Sequence, residues 1–296
     1  MSSTPSIEAR PFAVRNVLAV DADPEVRSLL VSVLEPGAWA IHHAMDNVAA
    51  LGMVRARNFD LIVTSEKTSG REDVELLRKI RSVRPHTRLI ILTNENVPSD
   101  VVTAMKEHAF SYFSKPFSLE SLSVMIRNAV EGPCWDDGIE VISATPQWIR
   151  LQARCDLKTA DRLLQFLNEI GDLPDAERHK VAMASREMLL NAIEHGGRLD
   201  PREYVEIEYV RARHMLTCRI LDPGTGFTLD EIPHAAIANP DDDPIRHMRL
   251  REAQGMRPGG YGVLLAQQLV DELIYGQDGN EVLLVKYLDT DGAKSA

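Results

Sequence analysis

From Asn16 to about Val130, short apolar runs rich in β-branched residues alternate five times with amphipathic segments, a rhythm that few folds accept. The runs are Val17 to Val20, Ala40 to Ala44, Leu61 to Thr64, Leu89 to Leu92 and Tyr112 to Phe113; the helical segments start near Pro24, Asp46, Asp73, Ser99 and Leu119. Strands that are apolar on both sides need cover on both faces, and right-handed crossover helices between parallel strands supply it. The expectation is a doubly wound (βα)5 sheet with its site at the carboxyl ends of the strands. Asp23 before Pro24 fixes the first helix start, because Asp23 offers an N-cap acceptor and a proline at the first helical position loses no hydrogen bond.

Past Val130 the rhythm changes. The segment EGPCWDDGIEVISATP, Glu131 to Pro146, reads as a linker from its Gly, Pro and acidic pair. Helical patterns follow over Lys158 to Ile170 and Asp175 to His195. Two strands come next, Tyr204 to Val210 and Met215 to Leu221, and then an irregular polar stretch to Gly260. A helix over Val263 to Leu273 and a strand over Glu281 to Tyr287 complete the pattern. Strands neighbouring in sequence, with grouped helices, indicate an α+β layer fold. The expected organisation is a tail over 1–14, a first domain over 15–131, a linker over 132–146, a second domain over 147–290 and a tail over 291–296.

Charge and cysteine usage narrow the partners. With 33 Lys and Arg against 44 Asp and Glu the formal charge is −11, a field that repels nucleic acid and anionic membrane as bulk partners. Cys134, Cys155 and Cys218 are scattered, with neither a C-x-x-C pair nor neighbouring histidines, so free thiols are expected rather than a disulfide framework or zinc cluster. No apolar run approaches the ~20 residues of a membrane helix, and the N-terminus lacks a basic region followed by an apolar one. The resulting expectation is a cytoplasmic protein.

The first half carries Asp21 ending the first strand in LAVDADP, Thr93 ending the fourth in LIILTN, and Lys115 in SYFSKPF, three residues after Tyr112. In these features it resembles the receiver domain of bacterial response regulators. That resemblance implies a Mg²⁺ and phosphoryl site built from two acids after the first strand and an aspartate after the third, contacted by the threonine and lysine. Here Ala22 stands at the second acid and Ser65 at the phosphoacceptor. One carboxylate makes a poor Mg²⁺ site, and a serine hydroxyl needs a base to become nucleophilic. The expectation is a pseudo-receiver, a module not switched by aspartyl phosphate.

In the second half, Glu187, Asn191 and His195 of SREMLLNAIEHGG fall at i, i+4 and i+8, a polar stripe on one face of an otherwise apolar helix. Such a stripe faces a cavity. The strand MLTCRILDP ends in Asp222, Gly224 and Gly226, where the glycines permit close backbone approach to a ligand. Gly259, Gly260, Tyr261 and Gly262 lead directly into a helix, whose N-terminal N–H groups favour an anion.

In this order the three segments resemble the N, G1 and G2 boxes of the GHKL (Bergerat-type) ATP-binding fold. The compact form, GGYG running into LLAQQLVDEL with a terminal EVLLVKYL strand, is most similar to the anti-sigma-factor serine/threonine kinases of partner-switching systems. The resemblance implies ATP and Mg²⁺, with Asn191 as metal ligand, Asp222 accepting from the adenine amine, and the glycine-rich turn with Tyr261 around the phosphates. Glu187, one turn from Asn191, is the candidate general base, and His195 is expected to close the end of the helix or line the pocket. An arginine of the Asn239 to Pro258 stretch, where Arg246, Arg249, Arg251 and Arg257 stand, is a candidate contact to the γ-phosphate or to an incoming partner, the alternative being a solvated charge run.

The implied activity is phosphorylation of a STAS-type anti-sigma-factor antagonist, with a sigma factor and a PP2C-type phosphatase as further implied partners and a homodimer as the implied assembly. The competing expectation is a non-catalytic, ATP-gated binding module. Glu187 separates the two, since a pure binder needs no base.

Overall fold

The computed structural model describes residues 15–21, 23–64, 67–131, 138–171, 173–227, 235–240, 242–253, 255 and 260–288. Ala22, Ser65, Gly259, the two expected tails and the start of the expected linker lie outside these. The chain divides into two compact units, each built around one sheet.

The first half of the chain alternates strand and helix throughout: β1 (Arg15–Val20), α1 (Pro24–Val33), β2 (Trp39–Ala44), α2 (Asn47–Ala56), β3 (Leu61–Val63), α3 (Gly70–Val83), β4 (Arg88–Thr93), α4 (Pro98–Lys106), β5 (Ser111–Ser114) and α5 (Leu119–Glu131). Of these, α4 and the first residues of β5 fall in 95–112, which group with the second unit, and the rest form the first. Its sheet has the order β2-β1-β3-β4-β5, parallel where β1 meets β2 and β3 and where β3 meets β4. Val17, Leu18, Ile62, Val63, Ile90 and Ile91 are fully buried, as strands covered on both faces must be.

Capping decides the helix starts. Asp23 accepts from Glu25 N–H at 3.0 Å with Pro24 behind it, and Asp46 accepts from Ala49 N–H at 2.7 Å. The third helix starts at Gly70, three residues before the expected Asp73, because Ser69 and Glu72 form a reciprocal capping box.

The second unit contains β6 (Ile139–Thr145), β7 (Trp148–Arg154), α6 (Leu157–Ile170), α7 (Asp175–Asn191), β8 (Tyr204–Arg211), β9 (Met215–Leu221), α8 (Arg246–Ala253), α9 (Gly262–Leu269), β10 (Glu272–Tyr275) and β11 (Glu281–Tyr287). Its antiparallel sheet runs β10-β11-β9-β8-β7-β6. Ile149, Leu151, Val205, Ile207, Cys218 and Ile220 point from the strands into the core, where they meet the apolar sides of α6 and α7. Cys155 and Cys218 are buried free thiols, their pKa values pushed up by burial to about 11 and about 12.

Four expectations are corrected here. The 139–145 part of the expected linker is an edge strand, β6, on which the second unit's sheet begins, and the strand β7 beside it was not anticipated. A bulge between Val141 and Ser143 breaks the two-residue alternation of β6 and hides it from pattern reading. The last helix stops at Leu269, and Leu273 belongs to strand β10. The polar stretch before Gly260 contains helix α8, preceded by a 3₁₀ turn over Ala236–Ala238. The helix expected to run to His195 is α-helical only to Asn191, beyond which Ala192–Gly196 winds as a π turn.

Candidate functional site

One cavity of about 500 Å³ opens in the second unit, within the range of small-molecule pockets. Helix α7 gives it one wall, with Glu187, Asn191 and His195 all facing in. The π turn that carries His195 adds a residue to the winding just past Asn191, a distortion that recurs at functional sites. The end of β9 supplies Asp222, Gly224 and Gly226, and the start of α9 supplies Gly260 and Gly262. These eight residues, expected from three separate stretches of sequence, line one pocket.

Two glycines make close approaches that any side chain would block. A Cβ on Gly196 would lie 2.2 Å from the Asp222 carboxyl, and one on Gly262 would lie 2.6 Å from Glu187 Oε2. The first lets Asp222 sit under the π turn. The second sets the Glu187 carboxylate against the first turn of α9, where Tyr261 at the N-cap provides no side-chain cap and the helix's orphan N–H groups favour negative charge.

Asp222 Oδ1 accepts from Gly224 N–H at 2.8 Å, and the Asn280 amide braces the turn by donating to the backbone oxygens of Asp222 and Gly224, each at 3.3 Å. Burial raises the Asp222 pKa, and the Gly224 hydrogen bond partly offsets it. A half-buried carboxyl beside apolar walls suits a neutral donor such as an exocyclic amine. The apolar part of the cavity is formed by Met188, Ile220, Phe227, Val263, Tyr275 and Val282. Phe227 and Tyr275 meet edge to face with centroids 5.4 Å apart, and the Tyr275 hydroxyl donates to Met188 Sδ at 3.5 Å; burial pushes its pKa up to about 12.

Tyr261, expected around the nucleotide, has its ring elsewhere. It packs against His247 with centroids 4.5 Å apart, and its hydroxyl donates to Met248 Sδ at 3.4 Å. Residues that sequence reasoning missed also reach the cavity: Arg198, Phe227, Tyr275 and Asn280. Arg198 and Leu199 both take left-handed backbone, each with φ 55°, closing the loop after the π turn; strain of this kind concentrates at functional sites. The Gly196-Gly197 pair just before them was the available signal. Among the candidate arginines, Arg251 of α8 lines the cavity.

A Mg²⁺ held here would rest on Asn191 and on the ligand's own oxygens. Among the described residues no group of three or more His, Cys, Asp or Glu side chains is placed to hold a metal ion. One protein oxygen plus water and phosphate oxygens is a donor set that Mg²⁺ accepts.

In the first unit, Asp21 (φ 40°) ends β1 with both carboxylate oxygens 3.0 Å from the Lys67 ammonium. Thr93 is fully buried at the end of β4, where its backbone oxygen accepts from Lys115 N–H at 2.9 Å. Thr93 and Lys115 thus meet through the backbone, Asp21 follows the first strand on its own ion pair, and Ala22 and Ser65 lie outside the described residues.

A doubly wound parallel unit joined to an antiparallel sheet, whose helices and glycine turns enclose an acid-floored pocket, is the architecture of a receiver fold coupled to a nucleotide-binding ATPase fold. Family models agree. Residues 17–127 match the response regulator receiver domain and residues 152–286 match the histidine kinase-like ATPase domain, so the chain carries one of each. Similar curated proteins include the response regulator MprA of Mycobacterium leprae, 31% identical over 127 residues, which are 43% of this chain and 56% of that one. The transcriptional regulatory protein GlrR of Escherichia coli is 27% identical over 145 residues, 47% of this chain and 33% of that one. The chain thus spans a little over half of the first relative's length and a third of the second's. Among solved structures, the signal receiver domain of an HD domain-containing protein from Pseudomonas fluorescens Pf-5 is 27% identical, covering 40% of this chain and 96% of that one with a TM-score of 0.35. No helix among the described residues is long and apolar enough to cross a membrane.

Proposed function

We propose that the protein is an ATP- and Mg²⁺-dependent serine/threonine kinase of the anti-sigma-factor type, which phosphorylates an anti-sigma-factor antagonist, with the receiver unit as a regulatory or docking module. The observation that carries this reading is the position of Glu187. Its carboxylate lies against Gly262 at the uncapped start of α9, one helical turn from Asn191, in the same pocket as Asp222.

Each residue has a task that its chemistry allows. Asp222 accepts from the exocyclic amine of adenine, while Phe227, Tyr275 and Val263 give the base an apolar surround. The α9 N–H groups and Arg251 take phosphate charge, and Asn191 Oδ1 is the protein oxygen that would hold Mg²⁺. Bound Mg²⁺ supplies charge neutralisation across the phosphate oxygens. Glu187 accepts the proton of the attacking serine or threonine hydroxyl as its oxygen bonds to the γ-phosphorus and ADP leaves with the electrons of the broken bond. Acceleration then rests on alignment and electrostatics rather than on a covalent enzyme intermediate.

Incubation of the full chain with radiolabelled ATP and a co-encoded antagonist is expected to label a serine or threonine of that antagonist. Glu187→Gln is expected to lower labelling by 10²-fold or more, within the usual range for a lost general base, while ATP affinity stays within about threefold. ATP binding without any labelled antagonist would retire the kinase and leave an ATP-gated binding module.

A further inference from the structure

Helix α8 reaches the cavity through one side chain, Arg251, and a small buried cluster one turn earlier fixes where that helix lies. His247 is fully buried although its neighbours on the helix are largely exposed. Asn239, seven residues before α8, wraps its amide around the helix start. Its Oδ1 accepts from His247 N–H at 2.8 Å, and its Nδ2 donates to Pro244 O at 2.7 Å and to His247 Nδ1 at 2.6 Å. Since Nδ1 is the acceptor, the neutral ring carries its proton on Nε2, for which no partner is found among the described residues.

The other side of the ring faces α9. The Tyr261 ring stands at 89° to His247, and its hydroxyl reaches Met248 Sδ. Tyr261 is the N-cap residue of α9, and Gly260 beside it accepts from Ala236 N–H at 2.8 Å. The cluster therefore joins Asn239, α8 and the glycine turn of the cavity in one small core. Arg251 stands four residues after His247, on the same face of α8.

We propose that His247, held by Asn239 and packed on Tyr261, is a positioning residue that latches α8 to the start of α9 and so presents Arg251 to the terminal phosphate of ATP. The inference rests on the ATP reading of this pocket. It explains why Tyr261 lies beside the phosphate turn yet faces away from the cavity. Among the described residues the buried Nε2–H has no partner, a cost that the packing of α8 must offset.

The test is the affinity of the full chain for ATP and ADP, each with Mg²⁺, by isothermal titration calorimetry. The wild type is expected to prefer ATP, and Arg251→Ala to lose about tenfold of that preference, the scale of one charge-assisted contact. His247→Ala and Asn239→Ala are expected to show the same selective loss. Combining His247→Ala with Arg251→Ala should add nothing further, because both act through one side chain. His247→Asn, which keeps an acceptor near the Nδ1 position, should recover most of the preference. Thermal unfolding checks each variant, and should His247→Ala not fold, Asn239→Ala carries the comparison. Equal weakening of ATP and ADP, full additivity in the double variant, or an unchanged preference in His247→Ala would each overturn the latch. A wild type that binds neither nucleotide would instead overturn the ATP reading on which the latch stands.

Discussion

Asp73 is a carboxylic acid sealed inside the first unit, and three donors converge on it: Thr64 Oγ1 at 2.6 Å, Asn47 Nδ2 at 2.9 Å and Thr68 Oγ1 at 2.9 Å. The three come from the end of β3, the start of α2 and the loop before α3, so one side chain ties those elements together. Burial outweighs the three hydrogen bonds and lifts its pKa to about 6, against 3.8 for the free side chain. A pKa raised by folding means that the fold favours the neutral acid. The associated stability is complete below about pH 4 and is lost as pH rises through 6. At 1.36 kcal/mol per pKa unit the loss is about 3 kcal/mol. Asp73→Asn keeps the amide neutral at every pH, and the hydroxyl donors can turn to suit it. Urea titrations of the first unit's fluorescence at pH 4 and pH 7 should show a fall in the wild type that is smaller by about that amount in Asp73→Asn. Equal falls in the two proteins would show that Asp73 is ionised throughout. Nothing in the sequence marks Asp73, because in a helix pattern it reads as one more solvated acid near an N-terminus. Glu187, Asn191 and Asp222 were legible for the opposite reason: each breaks an apolar pattern at a place where a helix or strand must be buried.

At the scale of elements, legibility followed local chemistry. The first two helices announced themselves through Asp23-Pro24 and Asp46. The third carried an equally plain signal in Ser69-x-x-Glu72, and reading the apolar periodicity alone placed its start at Asp73, one turn too late. The bulged edge strand β6 and the short helix α8 stayed hidden because neither carries a clean pattern of its own: the bulge between Val141 and Ser143 interrupts the alternation of β6, and α8 is held in place by Asn239 and Tyr261, which lie outside its own span. The capping box makes a local claim that can be measured locally. Ser69→Ala removes the acceptor for Glu72 N–H and the hydroxyl that donates to the Glu72 carboxylate, while the residue's backbone N–H, the main reason that carboxylate sits below its ordinary pKa, still donates to it. The expected cost is about 1 kcal/mol at the helix start. Hydrogen–deuterium exchange should quicken about fivefold in the amides of the first turn of α3 and remain unchanged in α1 and α2. Unaltered exchange at α3 would mean that its packing, not the box, sets where it begins.

For the whole molecule, the joined units pose the question of which one listens and which one acts. In a receiver, phosphorylation needs a carboxylate nucleophile and a divalent cation held by acids. Here the sequence puts Ala22 and Ser65 at two of those places, and the remaining acid, Asp21, has both oxygens engaged by the Lys67 ammonium. An exposed pair of this kind adds little stability, on the order of 1 kcal/mol or less, yet it sets a fixed positive charge where a cation would otherwise be recruited. The net charge of −11 is thus a poor guide to local chemistry in either unit, since on the proposed reading the second turns backbone N–H groups and Arg251 toward phosphate. On the proposed reading the first unit acts through its surface and not through a phosphoryl group. Acetyl phosphate with Mg²⁺ is therefore expected to leave the full chain without an alkali-labile acyl phosphate, while ATP binding by the second unit proceeds unchanged. Stoichiometric labelling that disappears in Asp21→Asn would show that the receiver keeps its switch, and the direction of control would then run from phosphorylation of the first unit to the kinase of the second.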